Sequence, residues 1–322
     1  MTLSRRTLLA ATAGAGLAAG LAAALAGIGA AHAQRKLVRM IVPVTPGTTP
    51  DLIARAIGPV MQARLDANYV VDNKAGASGM IGMEFVAKSA DTGTLLIVPS
   101  TTLTLPLFYK NIDFDVIEGF TPITQVSSSS FVLVVHNDVP AKNLPEFIAW
   151  AKSRVGLFYA SPGNGTHHHL CMELLKQTVG VAIEHVPYKG AAQAFTDLLS
   201  GQVPAMFMPV HLAVQHQRTG RIKIIGGSLR ERHPGFPEIP SLQEQGAKGF
   251  EVDPWYAIWG APKIPAALAE QYRTAIIAAL EDAAVKESLI KQGQIIKWGT
   301  PAELLALARA ESALWARVVR QM

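Results

Sequence analysis

The residues best suited to chemistry lie in the stretch "YASPGNGTHHHLCMELL", which begins at Tyr159 and ends at Leu175. It places two glycines, an asparagine and three consecutive histidines between an apolar run and a helical pattern. Residues of these types serve three kinds of site: a metal centre, a nucleotide-binding loop, or a cradle of backbone amides for an anion. The kind of site that this stretch forms decides whether the chain is an enzyme or a binding protein.

The spacing argues against a metal or a nucleotide. Adjacent helical residues point about 100° apart, so His167, His168 and His169 cannot all converge on one ion. A phosphate loop needs a lysine after Gly165, and the dinucleotide fingerprint needs a third glycine at His168. Cys171, the single cysteine, is interpreted as a core residue, and His167 and His168 as surface residues at a helix start. We therefore predict no metal, no cofactor and no catalytic residue.

The interpretation that is left is a loop whose backbone amides bind an anion. A short apolar strand leads into a glycine-rich turn that starts a helix, where unpaired N–H groups and the positive end of the helix dipole lie together. A plain tight turn before a helix is the alternative for this loop taken alone. The candidate ligand-binding residues of the loop are Ser161, Gly163, Asn164, Gly165 and Thr166.

A second stretch, "IVPVTPGTTPDLIAR" from Ile41, follows the same plan. Its apolar run leads into a Pro-Gly turn and a helix, with Thr49 as the predicted cap and Pro50 at the first helical position. Two such loops predict two α/β domains that face each other across a ligand cleft. The candidate residues of this loop are Thr45, Pro46, Gly47, Thr48 and Thr49.

The first 33 of the 322 residues are interpreted as a signal peptide. Arg5 and Arg6 precede a long Ala/Gly/Leu run that ends in Ala31-His32-Ala33, which predicts twin-arginine export and cleavage between Ala33 and Gln34. An uncleaved membrane anchor is the alternative, because the run is long enough to span a bilayer.

The remaining 289 residues are long enough for two domains, and the net charge falls from +5 to +3 when the two arginines are removed. No block of five or more Lys and Arg residues occurs, so nucleic acid is not an expected partner.

From Lys36 onward, short apolar runs alternate with helical periods, which is typical of an α/β protein with largely parallel sheets. Gly58-Pro59 is expected to kink or interrupt the first helix. Thr300 and Glu303 predict a capping box at the start of the last helix. The predicted strands are 36–44, 68–73, 94–100, 131–136, 157–161, 183–188, 205–210, 222–228 and 256–262. The predicted helices include 51–65, 79–88, 144–153, 166–179, 191–200, 266–284 and 301–320.

Five stretches of the chain resemble the Bug-type extracytoplasmic solute-binding receptors of tripartite tricarboxylate transporters, the TctC-like family. Each stretch is moderately specific alone, but five in the family's order make chance agreement implausible. They are "IVPVTPGTTPDLIAR", "VVDNKAGASGMIGMEFVAKS", "YASPGNGTHHHLCMELL", "HVPYKGAAQAFTDLLSGQV" and "AESALWARVVR".

The resemblance implies an α/β, two-domain periplasmic-binding-protein fold (type II), with two mixed sheets flanked by helices and a ligand cleft between the domains. Domain 1 would comprise residues 34–134 and 252–322, and domain 2 residues 135–251. The resemblance also implies that the two glycine-rich loops grip a small carboxylate. The further pocket residues that it implies are Ser100, Thr101, Thr102, Tyr188 and Lys189.

The chain departs from the family pattern in both halves of the pocket. Thr48 stands where a second glycine is usual, and Pro50 removes a backbone donor. Met208 stands where many relatives carry an aspartate, so we expect a carboxylate with an apolar or aromatic body rather than an amino acid. His169 is counted among the binding candidates, although a structural role is favoured for it.

The predicted function is that of a periplasmic solute receptor without enzymatic activity. It would bind a small organic acid as a monomer, close by a hinge, and present the closed form to membrane transporter subunits. Two alternatives stay open at this point: an exported enzyme that uses the same cleft, and a ligand-sensing partner of a signalling protein. The chain has no G-x-S-x-G elbow, which weighs against a hydrolase.

Overall fold

Two mixed β-sheets organise the chain in a computed structural model that describes residues 36–322. The predicted signal peptide, residues 1–33, and its cleavage point lie outside the described residues. Within residues 36–322, no helix combines the length and the apolar character needed to cross a membrane.

The first sheet has the strand order β11-β4-β10-β3-β1-β2. β1 pairs with β3 in parallel, whereas β10 runs antiparallel to both β3 and β4. Six strands form it: β1 (Lys36–Val42), β2 (Ala67–Asn73), β3 (Thr94–Pro99), β4 (Thr121–Ser128), β10 (Trp255–Gly260) and β11 (Ile295–Ile296).

The second sheet has the strand order β7-β6-β8-β5-β9. β6 pairs in parallel with β7 and β8, and β5 runs antiparallel to β8 and β9. Its strands are β5 (Phe131–His136), β6 (Phe158–Ser161), β7 (Glu184–Pro187), β8 (Ala205–Pro209) and β9 (Ile222–Gly227).

The helices pack on these sheets through apolar faces. α1 (Thr49–Leu65), α2 (Met80–Ala87) and α3 (Leu105–Phe108) connect strands of the first sheet. The connections of the second sheet contain α4 (Leu144–Lys152), α5 (His167–Val179), α6 (Ala191–Leu199) and α7 (Val210–Gln217). The C-terminal part contains α8 (Ala266–Glu281), α9 (Ala283–Lys291) and α10 (Pro301–Val319).

The last helix joins the two apolar cores. Leu304 and Ala308, in the first half of α10, pack in the core of the first sheet, whereas Trp315 and Val318 pack in a core of the second. α10 begins with the predicted capping box, in which the Thr300 hydroxyl accepts a hydrogen bond from the Glu303 amide. Because α10 contacts both cores, it is a rigid element through which the two halves can be coupled.

The predicted fold class, two mixed sheets flanked by helices, is confirmed, and all nine predicted strands are present. The narrower expectation of largely parallel sheets is wrong, because β5 and β10 each run antiparallel to both neighbours. The sequence analysis missed β4, a strand with interior position but many hydroxyl residues. Hydrogen bonds such as Ser127 Oγ to Gln294 Oε1, at 2.8 Å, satisfy most of those buried groups, whereas Ser128 Oγ has no partner among residues 36–322.

Two local expectations also change. α1 continues through Gly58-Pro59 without interruption. The Tyr69 ring lies beside Gly58, and its hydroxyl donates to the Ala54 carbonyl at 3.0 Å. The cap of α1 is Thr48 rather than Thr49, because Thr49 already has helical geometry and Pro50 is tolerated in the first turn.

The sheets divide the chain between β4 and β5 and again between β9 and β10. The predicted boundary after residue 134 falls inside β5, which pairs along its length within the second sheet. The assignment of residues 34–134 with 252–322, and of 135–251, to two domains stays a prediction.

Candidate functional site

A cleft of about 580 Å³ lies where the loops after β1, β2, β6 and β7 approach one another. The loops that follow parallel strands at one sheet edge are the usual place for a ligand in open α/β sheets. Nine of the predicted site residues line this cleft: Thr45, Thr48, Thr49, Thr101, Gly163, Asn164, Thr166, Tyr188 and Lys189.

The loop after β1 is a tight turn closed by a threonine. The amide and hydroxyl of Thr48 both donate to the Thr45 carbonyl, at 3.4 and 2.7 Å. Gly47 has φ +80°, a conformation that favours glycine, and its amide donates to Oδ2 of Asp51 at 2.9 Å. Asp51 also accepts hydrogen bonds from Arg55 and Asn73, which fix its carboxylate. The turn is therefore held from inside by the first turn of α1.

The loop after β6 repeats this geometry. The amide and hydroxyl of Thr166 donate to the Gly163 carbonyl at 3.5 and 2.8 Å. Gly165 has φ +75°, and its amide donates to Nδ1 of His169 at 3.0 Å. His169 therefore occupies the structural position that Asp51 occupies in the first loop. The two loops are equivalent in turn, cap and acceptor; their similar sequences predicted the shared plan of strand, turn and helix, but not the acceptors.

Both helix starts offer backbone donors. The amides of Thr49 and Asp51 in α1, and of the three residues His167 to His169 in α5, make no hydrogen bond within the described part of the chain. Pro50 has no donor, so the second loop has more free amides than the first. Such amides, with the positive helix end, bind carboxylates and phosphates.

A group of side chains lies behind the second loop rather than in the cleft. Ser161 Oγ accepts from the Gly163 amide at 3.1 Å and hydrogen-bonds with His185 Nε2 at 2.6 Å. The His169 ring stacks on His185 with centroids 4.0 Å apart. Burial lowers the pKa of His169 to about 4, so Nδ1 stays a neutral acceptor. Ser161, Gly165 and His169, predicted as binding residues, are placed as supports of the loop.

The other predicted site residues do not reach the cleft surface. Pro46 and Gly47 form the turn itself, and the Thr102 hydroxyl donates to the Pro99 carbonyl at 2.9 Å. Ser100 is fully buried and hydrogen-bonds with His167 and Glu311. Met208 lies in a core of the second sheet, because β8 is buried along its length. The expectation that Met208 sets the ligand class is therefore not supported by its position.

Sequence reasoning missed a third loop of the cleft, which joins β2 to α2. Ser78 Oγ donates to the Asn164 carbonyl at 3.1 Å and hydrogen-bonds with the Tyr109 hydroxyl at 3.0 Å. Ser78 has φ +56°, an uncommon conformation for a residue with a side chain. The small residues of "KAGASG", residues 74–79, were the available signal.

His167 and His168 were predicted at the surface, but both line the cleft. His167 is only 3% exposed, and the His168 ring packs edge-on against Phe131 with centroids 4.8 Å apart. Burial lowers the pKa of each to about 3, so both rings are neutral at pH 7. Both ring nitrogens of His168 are buried without a partner among residues 36–322.

The cleft carries little charge. Among the described residues that line it, Lys189 alone has a full charge, and its side chain is exposed. The neighbouring Tyr188 hydroxyl donates to Asp197 at 2.7 Å, and burial raises the pKa of Tyr188 to about 12. No group of three His, Cys, Asp or Glu side chains within residues 36–322 is arranged to hold a metal ion. The arrangement suits binding of an anion through neutral donors.

Residues 53–322 match the family model described as the tripartite tricarboxylate transporter family receptor, TctC. The chain belongs to the TctC family. The predicted resemblance is thereby confirmed for most of the chain. Protein BugT of Bordetella pertussis is 32% identical to it over 288 residues, which is 88% of each chain.

Two solved structures of similar proteins were determined with acids. MatC from Rhodopseudomonas palustris, with bound malate, is 27% identical with a TM-score of 0.81 over 88% of this chain and 99% of that one. The R. palustris protein Rpa4515, with adipate, is 28% identical with a TM-score of 0.84 over 89% and 97%.

Proposed function

We propose that this TctC-family protein is a periplasmic receptor that captures a small organic acid in its cleft and delivers it to the membrane subunits of a tripartite transporter. The observation that carries the proposal is the pair of equivalent loops, each ending in a capping threonine and a helix start with free amides. Malate and adipate, seen with the two structural relatives, are acids of the chemistry that such loops recognise.

The charge distribution supports an anionic ligand. No aspartate or glutamate is among the described residues that line the cleft, so a carboxylate would meet no repelling side chain there. Neutral backbone donors hold an anion without a buried counter-charge, and hydrogen bonds to a charged group contribute about 1.5–3 kcal/mol each. Lys189 at the rim adds attraction and favours rapid capture of anions.

The part of the cleft lining next to the start of α5 fits an apolar ligand body. Phe131, Phe195 and Leu212 line it together, and the unpartnered His168 ring lies among them. An aliphatic or aromatic acid would cover the apolar side chains, and one polar substituent would satisfy the imidazole once the ring turns its buried nitrogens toward the cleft. We therefore still propose that the ligand has an apolar or aromatic body, but on the basis of these lining residues and not of Met208.

Contacts between the halves support a closing mechanism. Ser78 of the third loop donates to Asn164, and the Thr104 hydroxyl donates to the Gly165 carbonyl at 3.1 Å. Both bonds join loops of the first sheet to the loop after β6. An acid held between the same loops would favour this closed arrangement, which is the form a transporter would recognise.

The test is thermal unfolding of residues 34–322 with a panel of malate, adipate, benzoate, hydroxybenzoates and amino acids. An acid at a hundredfold excess over its Kd stabilises the protein by about 2.7 kcal/mol, or roughly 5–10 °C for a protein of this size. If the bound acid is recovered chemically unchanged from the protein, the protein binds it and does not convert it. Absence of a shift with every carboxylate contradicts the proposal, and transport by membrane subunits reconstituted with the loaded receptor tests delivery.

A further inference from the structure

A chain of three hydrogen-bonding groups leads from the cleft wall into the C-terminal helix. His167 lines the cleft, and its Nε2 lies 2.9 Å from the hydroxyl of the fully buried Ser100. The same hydroxyl lies 2.7 Å from Oε1 of Glu311 on α10. The chain thus connects a residue of α5, a residue after β3 and the helix that joins both cores.

Glu311 is held by neutral donors. Its Oε1 accepts from Trp315 Nε1 at 2.9 Å, and its Oε2 accepts from the indole nitrogen of Trp255. No ion pair joins Glu311 to a cation within the described residues. The nearest acid, Asp253, is paired with Lys297 at 2.9 Å and repels a charge on Glu311. Cys171 on α5 also faces Glu311, and its pKa is raised by burial and by that carboxylate.

The direction of the hydrogen bonds in this chain depends on the protonation of Glu311. When Glu311 is ionised, Ser100 donates to it and must accept from His167, so Nε2 carries the imidazole proton. When Glu311 is protonated, it donates to Ser100, which then donates to His167 Nε2. The imidazole proton then resides on Nδ1, the ring nitrogen that is left for a ligand in the cleft.

The protonation state of Glu311 decides whether the cleft presents a hydrogen-bond acceptor or a donor at His167. With Glu311 ionised, Nδ1 of His167 presents a lone pair, which repels a carboxylate. With Glu311 protonated, Nδ1–H is a donor beside the free amides of α5. We propose that Glu311 takes up one proton when the cleft binds a carboxylate, and that Ser100 and His167 relay this change to the binding surface. This inference rests on the proposed function and describes the regulation of the same site.

For each anion that binds, the protein takes up one proton from the solvent. A proton adds to Nδ1 of His167 from the cleft, and the Nε2 proton passes to Ser100 Oγ. The original Ser100 proton passes to Glu311. His167 and Ser100 end with as many protons as they began with, and Glu311 gains one.

Burial assigns the added proton to the carboxyl group. It raises the pKa of Glu311, because the charged form is poorly solvated there. Burial also lowers the pKa of His167 to about 3, so an imidazolium is disfavoured at that position. The adjacent His168 is neutral for the same reason and adds no charge near Nδ1.

The first test uses the ligand-free protein with ¹⁵N-labelled histidine, and a His167→Gln variant assigns the resonances. NMR should show the Nε2–H tautomer of His167 at high pH and a change to the Nδ1–H tautomer as the pH is lowered, at a midpoint above the ordinary range of a glutamate. Ser100→Ala should abolish the change, and Glu311→Gln, which cannot ionise, should hold one tautomer at every pH. Ser127→Ala, which removes another buried serine hydroxyl, is the matched control and should behave like the wild type. A tautomer that never changes, or that changes equally in Ser100→Ala, overturns the inference.

The second test is calorimetric titration with adipate in buffers of different ionisation enthalpy. At pH 7 the acid itself is ionised, so proton uptake reports on the protein. We expect uptake of up to one proton per adipate, affinity that rises up to about tenfold per unit decrease in pH, and no uptake in Ser100→Ala or Glu311→Gln. Equal uptake in all variants overturns the relay. If no acid binds, the proposed function fails, and the ligand-free tautomer measurement still decides the relay.

Discussion

The amide of Gly165 donates to Nδ1 of His169 at 3.0 Å, and this bond has a counterpart between Gly47 and Asp51 at 2.9 Å. In both loops the acceptor stands four residues after the glycine, in the first turn of the following helix. The side chain therefore fixes the turn that carries the candidate anion site. An acidic residue and a neutral histidine serve the same structural purpose because each supplies an acceptor at the same point.

Replacement of His169 tests this support. His169→Leu leaves the buried Gly165 amide without an acceptor, which should destabilise the protein by about 1–3 kcal/mol and weaken binding of adipate. His169→Asn loses the same ring stacking, but its amide oxygen can accept the bond and should recover much of the loss. Denaturant unfolding and calorimetric titration measure the two effects. Equal losses in the two variants would show that the acceptor is unimportant.

The two turn glycines should differ in their tolerance of alanine. A Cβ at Gly47 meets nothing within 4 Å, whereas at Gly165 it would lie 2.8 Å from the Phe108 ring. Gly47→Ala should cost about 1–2 kcal/mol from backbone strain alone. Gly165→Ala should cost about 1–3 kcal/mol more through overpacking. In a Phe108→Ala background, Gly165→Ala should no longer carry that extra loss of unfolding free energy, as a double-mutant cycle measured by chemical unfolding would show. If the losses of the two single variants simply add in the double variant, the predicted contact is contradicted.

The two loops could be recognised from sequence because their structure is local. Turn glycines and helix starts depend on neighbouring residues, although the cap of α1 was expected one residue late, at Thr49 rather than Thr48. The apolar strands were recognised for the same reason. β4 was missed because its hydroxyl residues find partners far along the chain, such as Gln294 for Ser127.

The contents of the cleft walls were less predictable. Ser100 was expected to contact ligand, but it is buried between His167 and Glu311, which is 211 residues further along the chain. His167 and His168 have the polar character of surface residues, and only the approach of Phe131 and the loops around it buries them. Such contacts depend on how distant elements pack, which no local pattern of residues specifies.

A buried histidine outside the cleft should make stability depend on pH. Neither ring nitrogen of His211 has a partner among residues 36–322, and burial lowers its pKa to about 4. An unfolded chain binds this proton near pH 6.5. His211 therefore causes no pH-dependent loss of stability well above pH 6.5, and the folded state is increasingly destabilised relative to the unfolded chain as the pH falls from 6.5 toward 4.

His211→Leu should accordingly be more stable than the wild type at pH 7, by about 1–3 kcal/mol, because an unpartnered polar group is removed from the interior. Its stability should also fall less steeply between pH 6.5 and 4, by up to about 1.4 kcal/mol per pH unit. Urea unfolding at a series of pH values measures both differences. A variant with an unchanged slope would show that His211 is solvated or protonated in the folded protein.

The unpartnered ring of His168 should determine which acids the cleft prefers. Its nitrogens are buried and unpartnered beside Phe131 and Phe195. A ligand with a hydroxyl or carbonyl group on an apolar body satisfies one of them when the ring turns toward the cleft, whereas a plain body leaves both without a partner. We expect the wild type to bind 3- or 4-hydroxybenzoate more tightly than benzoate, by roughly two- to tenfold for one hydrogen bond of about 0.5–1.5 kcal/mol.

His168→Phe should remove this preference, because the new ring keeps the aromatic packing but has no nitrogen. Benzoate should bind the variant at least as tightly as it binds the wild type, and the ligand-free variant should be more stable. Phe195→Leu is the matched control, since a smaller apolar wall should weaken all three acids alike. Competition titration measures the ratio of the Kd for benzoate to the Kd for each hydroxybenzoate in every variant. If His168→Phe weakens benzoate and the hydroxybenzoates by the same factor, His168 contributes shape to the cleft and does not read a polar group of the ligand.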